Sequence, residues 1–160
     1  MIITICCSLD FVERIKEVSG TLMGMGHTVL LPRTAERVIK GELTQGDILN
    51  EKESGEIVNR MVRYDAIKVH CEKIKNSDGI LVLNFDKMVE IDPYTIDQGS
   101  ISNKVQIKNY IGGAVFLEMG FAHVFNKKIF LLNPIPDVSY KDEVVAMRPV
   151  VLDGALGKIK

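Results

Sequence analysis

The chain alternates continuous apolar runs with segments of helical period. Five such runs predict β-strands: Ile2–Cys6, His27–Leu31, Gly79–Asn84, Lys128–Asn133 and Pro149–Leu152. Apolar runs that do not alternate with polar residues are typical of strands buried on both faces. Such strands belong to a parallel sheet that is covered by helices.

Apolar residues spaced by three or four positions predict the helices between these strands. The predicted helices are Phe11–Met25, Met61–Asn76, Ile111–Phe125 and a short one at Lys141–Met147. The polar segment Arg33–Asn59 has a weaker pattern, which we expect to hold one or two short helices.

Repeated strand–helix–strand units with right-handed crossovers predict the fold class α/β. We expect a doubly wound, five-stranded parallel flavodoxin-like sheet of order 2-1-3-4-5, with helices on both faces. The length predicts a single domain over residues 1–160. Ligands of such sheets bind beyond the carboxyl ends of the strands, where the strand order reverses. The long connection Phe85–Tyr110 is typical of an active-site cover or a mobile segment.

The composition limits the function classes. The chain is 46% hydrophobic and 26% charged, with a net charge of −1, and its basic residues are scattered, so we expect no nucleic-acid partner. No apolar run approaches the roughly 20 residues that span a bilayer, so we expect no membrane association. The amino terminus lacks the pattern of a secretory signal. The three cysteines, Cys6, Cys7 and Cys71, suggest no disulfide framework. We therefore expect a cytoplasmic protein.

Glu118 is the most informative residue of the sequence. Between Ile111 and Phe125 all residues except Glu118 are apolar, glycine or histidine, which predicts a helix buried on all sides. A carboxylate in that position loses hydration, which raises its pKa unless partners compensate, and perturbed acids are enriched at functional sites. The alternative is an acid that is merely stabilised by the helix dipole. The residues alone leave both interpretations open.

Other polar residues allow a structural or a functional interpretation. His70 shares an apolar stripe with Ile67 and Ile74, so we expect it to face inward as a core residue or an acid/base. Asp78 fits a helix-ending turn. The glycine pair Gly112 and Gly113 permits either a turn or close approach to a ligand. Ser8, which follows the first strand, has the same two interpretations.

The sequence contains no spacing typical of a zinc site, a dinucleotide site or a triphosphate-binding loop. Cys6 and Cys7, adjacent on a strand, point to opposite faces, so they cannot both bind one ion. We therefore expect neither a metal nor an organic cofactor.

Five segments resemble the nucleoside 2-deoxyribosyltransferase family, including its nucleotide N-glycosidase relatives: Ile5–Ser8, Gly26–Pro32, Asn76–Leu83, Gly112–Ala122 and Asn126–Leu132. The most specific part is a glycine-rich turn, a helix with Glu-x-Gly-x-Ala, and a strand opening with Lys-Lys. The resemblance implies cleavage or transfer of the N-glycosidic bond of a (deoxy)nucleoside or related N-glycoside. That reaction passes through a covalent glycosyl-glutamate intermediate.

The resemblance also assigns roles to residues. Glu118 matches the nucleophile, and His70 stands where the family often has an acid that assists the base. It further implies a homo-oligomer, a dimer or an assembly of dimers, in which Glu143 and Met147 of a neighbouring chain would complete the pocket. The expected substrate-binding residues of the chain itself are Cys7, Ser8, Asp78, Asn84, Gly112 and Gly113.

Two departures from the family pattern keep alternatives open. Gly112 stands where the family usually has Ser or Asp, and Asp10 stands where the nucleotide hydrolases have Arg. The negative charge of the Asp10 carboxylate is expected to repel a 5′-phosphate. One alternative is an N-glycoside hydrolase that uses no acceptor base. Another is a non-catalytic nucleotide- or ligand-binding protein of the same fold.

Overall fold

The computed structural model describes residues 1–90 and 104–160, in which parallel strands form the centre. The apolar stretches of the three central strands are buried, as both faces of a helix-covered sheet require, whereas the two edge strands are partly exposed. The strands, in chain order, are β1 Ile2–Cys7, β2 Thr28–Leu30, β3 Gly79–Leu83, β4 Lys87–Glu90, β5 Lys104–Ile107, β6 Lys128–Leu131 and β7 Val150–Val151.

The main sheet has the order β2-β1-β3-β6-β7, and every neighbouring pair is parallel. Because β6 and β7 are the fourth and fifth strands of this sheet, the predicted order 2-1-3-4-5 is confirmed. Ile5 pairs with Leu81, and Leu81 pairs with Phe130 across the three central strands. The fold is thus the predicted doubly wound, flavodoxin-like α/β class.

Helices surround the sheet. Their bounds are α1 Val12–Gly24, α2 Arg33–Ile39, α3 Gln45–Ser54, α4 Glu56–Arg63, α5 Ala66–Lys75, α6 Gly113–Val124 and α7 Lys141–Ala146. Short 3-10 turns lie at Leu9–Phe11 and Leu156–Lys158.

The predicted helix Met61–Asn76 is wrong as one element, because the chain breaks between α4 and α5. Asp65 has a left-handed backbone there, with φ of 45°. Ile67, in the first turn of α5, is 50% exposed, contrary to the predicted stripe, whereas His70 and Ile74 are buried as expected.

Strand alternation divides the core into two layers. Ile3 and Ile5 of β1 pack with α1, α2 and α3, whereas Cys6 belongs to the opposite layer with α5, α6 and α7. Successive residues of β3 divide in the same way. Cys6 and Cys7 therefore face different layers.

The connection 85–110 contains a second, two-stranded sheet. Strands β4 and β5 pair antiparallel, with Met88 opposite Gln106. Part of the predicted cover, residues 91–103, lies outside the described residues, so its role as a cover or mobile segment stays a prediction.

Helix α6 is not buried on all sides, contrary to the prediction from its sequence. Val115, Met119 and Ala122 are buried against the sheet, but Leu117 is 45% and Val124 73% exposed. The described part of this chain supplies no element that covers that outer face. Within the same residues, no helix is both long and apolar enough to cross a bilayer.

Candidate functional site

A cavity of about 360 Å³ opens beside the carboxyl end of β1, between α5 and α6. Parallel sheets of this kind bind ligands at that edge. The cavity brings together six of the residues that the sequence proposed: Cys7, Ser8, His70, Gly112, Gly113 and Glu118.

Three polar side chains meet at the inner wall of the cavity, where His70 and Glu118 line the space and Cys6 lies buried behind them. Nε2 of His70 lies 3.5 Å from Oε1 of Glu118 and 3.7 Å from Sγ of Cys6. Cys6 is completely buried and His70 is 7% exposed, while the side chain of Glu118 keeps 19% of its surface toward the cavity. Oε2 of Glu118 and Nδ1 of His70 are buried and have no partner among the described residues.

Burial determines the charge state of this cluster. Loss of hydration raises the pKa of Glu118 to about 8, although a hydrogen bond with Cys6 acts in the opposite direction. Burial lowers the pKa of His70 to about 4, and it raises the pKa of the Cys6 thiol. The contact between His70 and Glu118 has the distance of an ion pair, but both groups are neutral near pH 7. It is therefore better described as a close contact between two neutral groups.

Each member of the cluster is placed by a different element of the fold. Cys6 faces α5 and α6 because β1 alternates, His70 lies one turn before the buried Ile74 on α5, and Glu118 lies beside the buried Met119 on α6. The same packing that covers the sheet thus brings these side chains together.

The start of α6 presents backbone to the cavity. The first N–H groups of a helix have no carbonyl partner within the helix, so they are available to a ligand. A Cβ at Gly112 would lie 3.1 Å from the Tyr110 ring, so the close packing of Tyr110 favours glycine there. Gly113 has open space where its side chain would be.

Asp10 is held by two lysines at the wall of the cavity. Nζ of Lys52 and Nζ of Lys87 each lie 2.5 Å from one of its carboxylate oxygens, and the Ser8 hydroxyl donates a hydrogen bond at 2.7 Å. Partial burial alone would raise the pKa of Asp10, but the bonds from Lys52, Lys87 and Ser8 outweigh it and lower the pKa to about 2. Asp10 and the two lysines together carry a net positive charge. The repulsion of a 5′-phosphate that was expected from Asp10 is therefore not supported, and charge does not exclude such a substrate.

Four proposed site residues do not line this cavity. Asn84 is buried and ties β3 to the residues after β6, because its side chain bonds to the backbone of Asn133 and Pro134. Asp78 lies at the opposite end of β3, where its carboxylate accepts from the backbone N–H of Ile2. Glu143 is exposed on α7, and Met147 lines a second cavity that is apolar.

Sequence reasoning missed Cys6, Lys52 and Lys87. Strand alternation separates Cys6 from Cys7, but only the pairing of distant elements reveals that it meets His70 and Glu118. Lys52 lies in a segment with weak periodicity, and Lys87 lies in the long connection, so no local pattern marks either lysine.

A comparison of this chain with protein-family models, curated proteins and solved structures found no match. The resemblance described from the sequence therefore stays a prediction.

The bonds to Asp10 predict a dependence of stability on pH. The folded-state pKa of about 2 lies below the ordinary value of 3.8, so the stabilisation is present above pH 4 and is lost as the pH falls toward 2. We expect Asp10→Asn to lower the free energy of unfolding by about 2 kcal/mol at pH 7. Urea titrations of both proteins at several pH values measure this difference. A difference that does not shrink below pH 4 would contradict this account.

Proposed function

We propose that the protein cleaves or transfers the N-glycosidic bond of a nucleoside, a nucleotide or a related N-glycoside, with Glu118 as the nucleophile. The observation that carries the proposal is the position of Glu118, a dehydrated carboxyl group facing a cavity and in contact with His70. A volume of about 360 Å³ is in the range of small-molecule sites.

The chemistry follows the two-step logic of retaining glycosidases. A Glu118 carboxylate oxygen attacks the anomeric carbon, the bond from this carbon to the base nitrogen breaks, and the electron pair leaves with the base. The glycosyl ester is then attacked by a second base, which regenerates the carboxylate. Water as the second nucleophile would make the protein a hydrolase.

His70 provides the proton transfer that these steps require. Its ring is neutral near pH 7, so Nε2 at 3.5 Å can receive the Glu118 proton while the carboxylate attacks. The pKa values of about 4 for His70 and about 8 for Glu118 oppose full transfer before the substrate binds, so the transfer accompanies the departure of the base. The resulting imidazolium returns that proton to the departing base. The two groups thus pass one proton between them, and the overall charge of the site is conserved.

The remaining walls of the cavity suit a sugar. The N–H groups at the start of α6 can donate to sugar oxygens, and Gly113 leaves space for close approach. Lys52 and Lys87 lie at the wall near Ser8 and can accept an anionic 5′ substituent. This arrangement supports both nucleosides and their monophosphates as substrates.

We expect Glu118→Gln to lower the rate of base release by at least about a thousandfold, because the amide cannot form the glycosyl ester. The assay incubates chelator-treated protein with deoxynucleosides or their 5′-monophosphates, with and without a free base, and separates the products by chromatography. Glu72→Gln on the exposed surface of α5 makes the same chemical change outside the cavity and should keep full activity.

The products distinguish the alternatives. Base exchange indicates a transferase, and free sugar formed without an acceptor base indicates a hydrolase. A ligand-induced rise in melting temperature without turnover would indicate a non-catalytic binding protein. Unchanged activity of Glu118→Gln would exclude Glu118 as the nucleophile.

We further propose that the protein forms a homo-oligomer through the outer face of α6. Leu117 and Val124 are exposed there, and they border an apolar cavity of about 490 Å³ together with Phe121 and Met147. Contiguous exposed apolar surface of this kind is typical of protein interfaces.

Val124→Asp should weaken self-association about 100-fold, because a buried carboxylate without a partner opposes the interface. Size-exclusion chromatography with light scattering measures the mass over a range of concentrations. Val62→Asp, at an equally exposed valine of α4, is the matched control and should keep the wild-type mass. A wild-type protein that is monomeric at high concentration would contradict the proposal.

A further inference from the structure

A sulfur, a nitrogen and an oxygen lie close together at the inner wall of the cavity, on Cys6, His70 and Glu118. His70 and Glu118 line the cavity, and Cys6 is buried behind them. Among the described residues, their ligand atoms all lie within 4.8 Å of each other. The atoms belong to three elements, β1, α5 and α6, that are distant in sequence. The arrangement is therefore a product of the fold and not of a local spacing.

Two of the three separations between these ligand atoms agree with those of a tetrahedral metal site, and the third, from sulfur to oxygen, is at most 4.8 Å. Zinc lies about 2.3 Å from a cysteine sulfur and about 2.0 Å from a histidine nitrogen or carboxylate oxygen. Tetrahedral angles then separate sulfur from nitrogen or oxygen by about 3.5 Å, and nitrogen from oxygen by about 3.3 Å. The corresponding separations in the protein are 3.7 and 3.5 Å.

The geometry points to a Zn²⁺ site formed by Cys6 Sγ, His70 Nε2 and Glu118 Oε1, with a fourth position that opens to the cavity. A mixed sulfur, nitrogen and oxygen set suits Zn²⁺, whereas Mg²⁺ and Ca²⁺ prefer oxygen ligands alone. Three protein ligands and one open position are typical of zinc sites that exchange water or ligand.

The unpartnered oxygen of Glu118 is a second observation in favour of a ligand. Oε2 is buried and has no hydrogen-bond donor among the described residues, although leaving such an atom unpartnered is costly. A cation beside Oε1 would offset that cost for the whole carboxylate, either through a second bond to Oε2 or through water bound at the open position.

Metal binding has a consequence that goes beyond the proposed glycosyl chemistry. The thiol proton of Cys6 and any proton on Glu118 leave to solvent, and the freed lone pairs bind the ion. A Glu118 oxygen that binds zinc is not available to attack an anomeric carbon. Zinc would therefore inhibit base release, and a chelator would restore it.

The test uses Co²⁺ as a spectroscopic substitute for Zn²⁺, without any nucleoside. Metal-free protein is titrated with Co²⁺, and we expect a near-ultraviolet thiolate-to-cobalt band and strong visible bands that saturate at one equivalent. Zn²⁺ should then displace Co²⁺ and remove both. Because no turnover is measured, the outcome is independent of the glycosyl proposal.

Matched variants assign the ligands. Cys6→Ala should abolish the thiolate band, whereas Cys7→Ser and Cys71→Ser, which alter the other two thiols, should retain it. Glu118→Gln should keep a native circular dichroism spectrum and weaken Co²⁺ binding at least about tenfold. It provides the test if Cys6→Ala does not fold.

Two results would overturn the inference. One is the absence of a thiolate band in the wild-type protein at one equivalent of Co²⁺. The other is a band that persists in Cys6→Ala or disappears in Cys7→Ser.

Discussion

The removal of one carboxyl group from water is the constraint on which the candidate site depends. Glu118 lies on the face of α6 that borders β1 and α5, and its surroundings offer Cys6 and His70 in place of solvent. A charged carboxylate is unfavourable there, so burial raises its pKa to about 8. A nearby positive charge, a proton acceptor or a developing cation therefore strongly favours the ionised form of this carboxyl group.

The glycosyl and zinc proposals both use this property. The anomeric carbon becomes positively charged as the base leaves, and a Zn²⁺ ion carries its charge permanently, so both are stabilised by the Glu118 carboxylate. They compete for the same oxygen, and the concentration of free zinc would decide between them. The ion pairs of Asp10 also have a structural role. They join α3, through Lys52, and the β4–β5 hairpin, through Lys87, to the end of β1.

The sequence predicted the architecture well because the apolar runs report burial directly. It also identified Glu118 and His70, since polar residues in apolar segments are visible without a structure. It did not reveal the break at Asp65, where neither glycine nor proline marks the left-handed backbone. Nor did it identify the partner Cys6, because contacts between β1, α5 and α6 depend on how the elements pack. The exposed face of α6 was also missed, because an apolar sequence indicates that a surface prefers burial but does not indicate whether another element of the same chain covers it.

The titration of Glu118 itself is the most direct test of this account. Protein labelled with carbon-13 at the glutamate side-chain carboxyl is followed by nuclear magnetic resonance over a range of pH, with a chelator present. The Glu118 resonance is assigned by its absence from Glu118→Gln. Burial of the carboxyl group predicts a midpoint near pH 8. A midpoint near the ordinary value of 4.5 would show that the carboxyl group is hydrated in the folded protein, and Glu118 would then not be the perturbed acid described above.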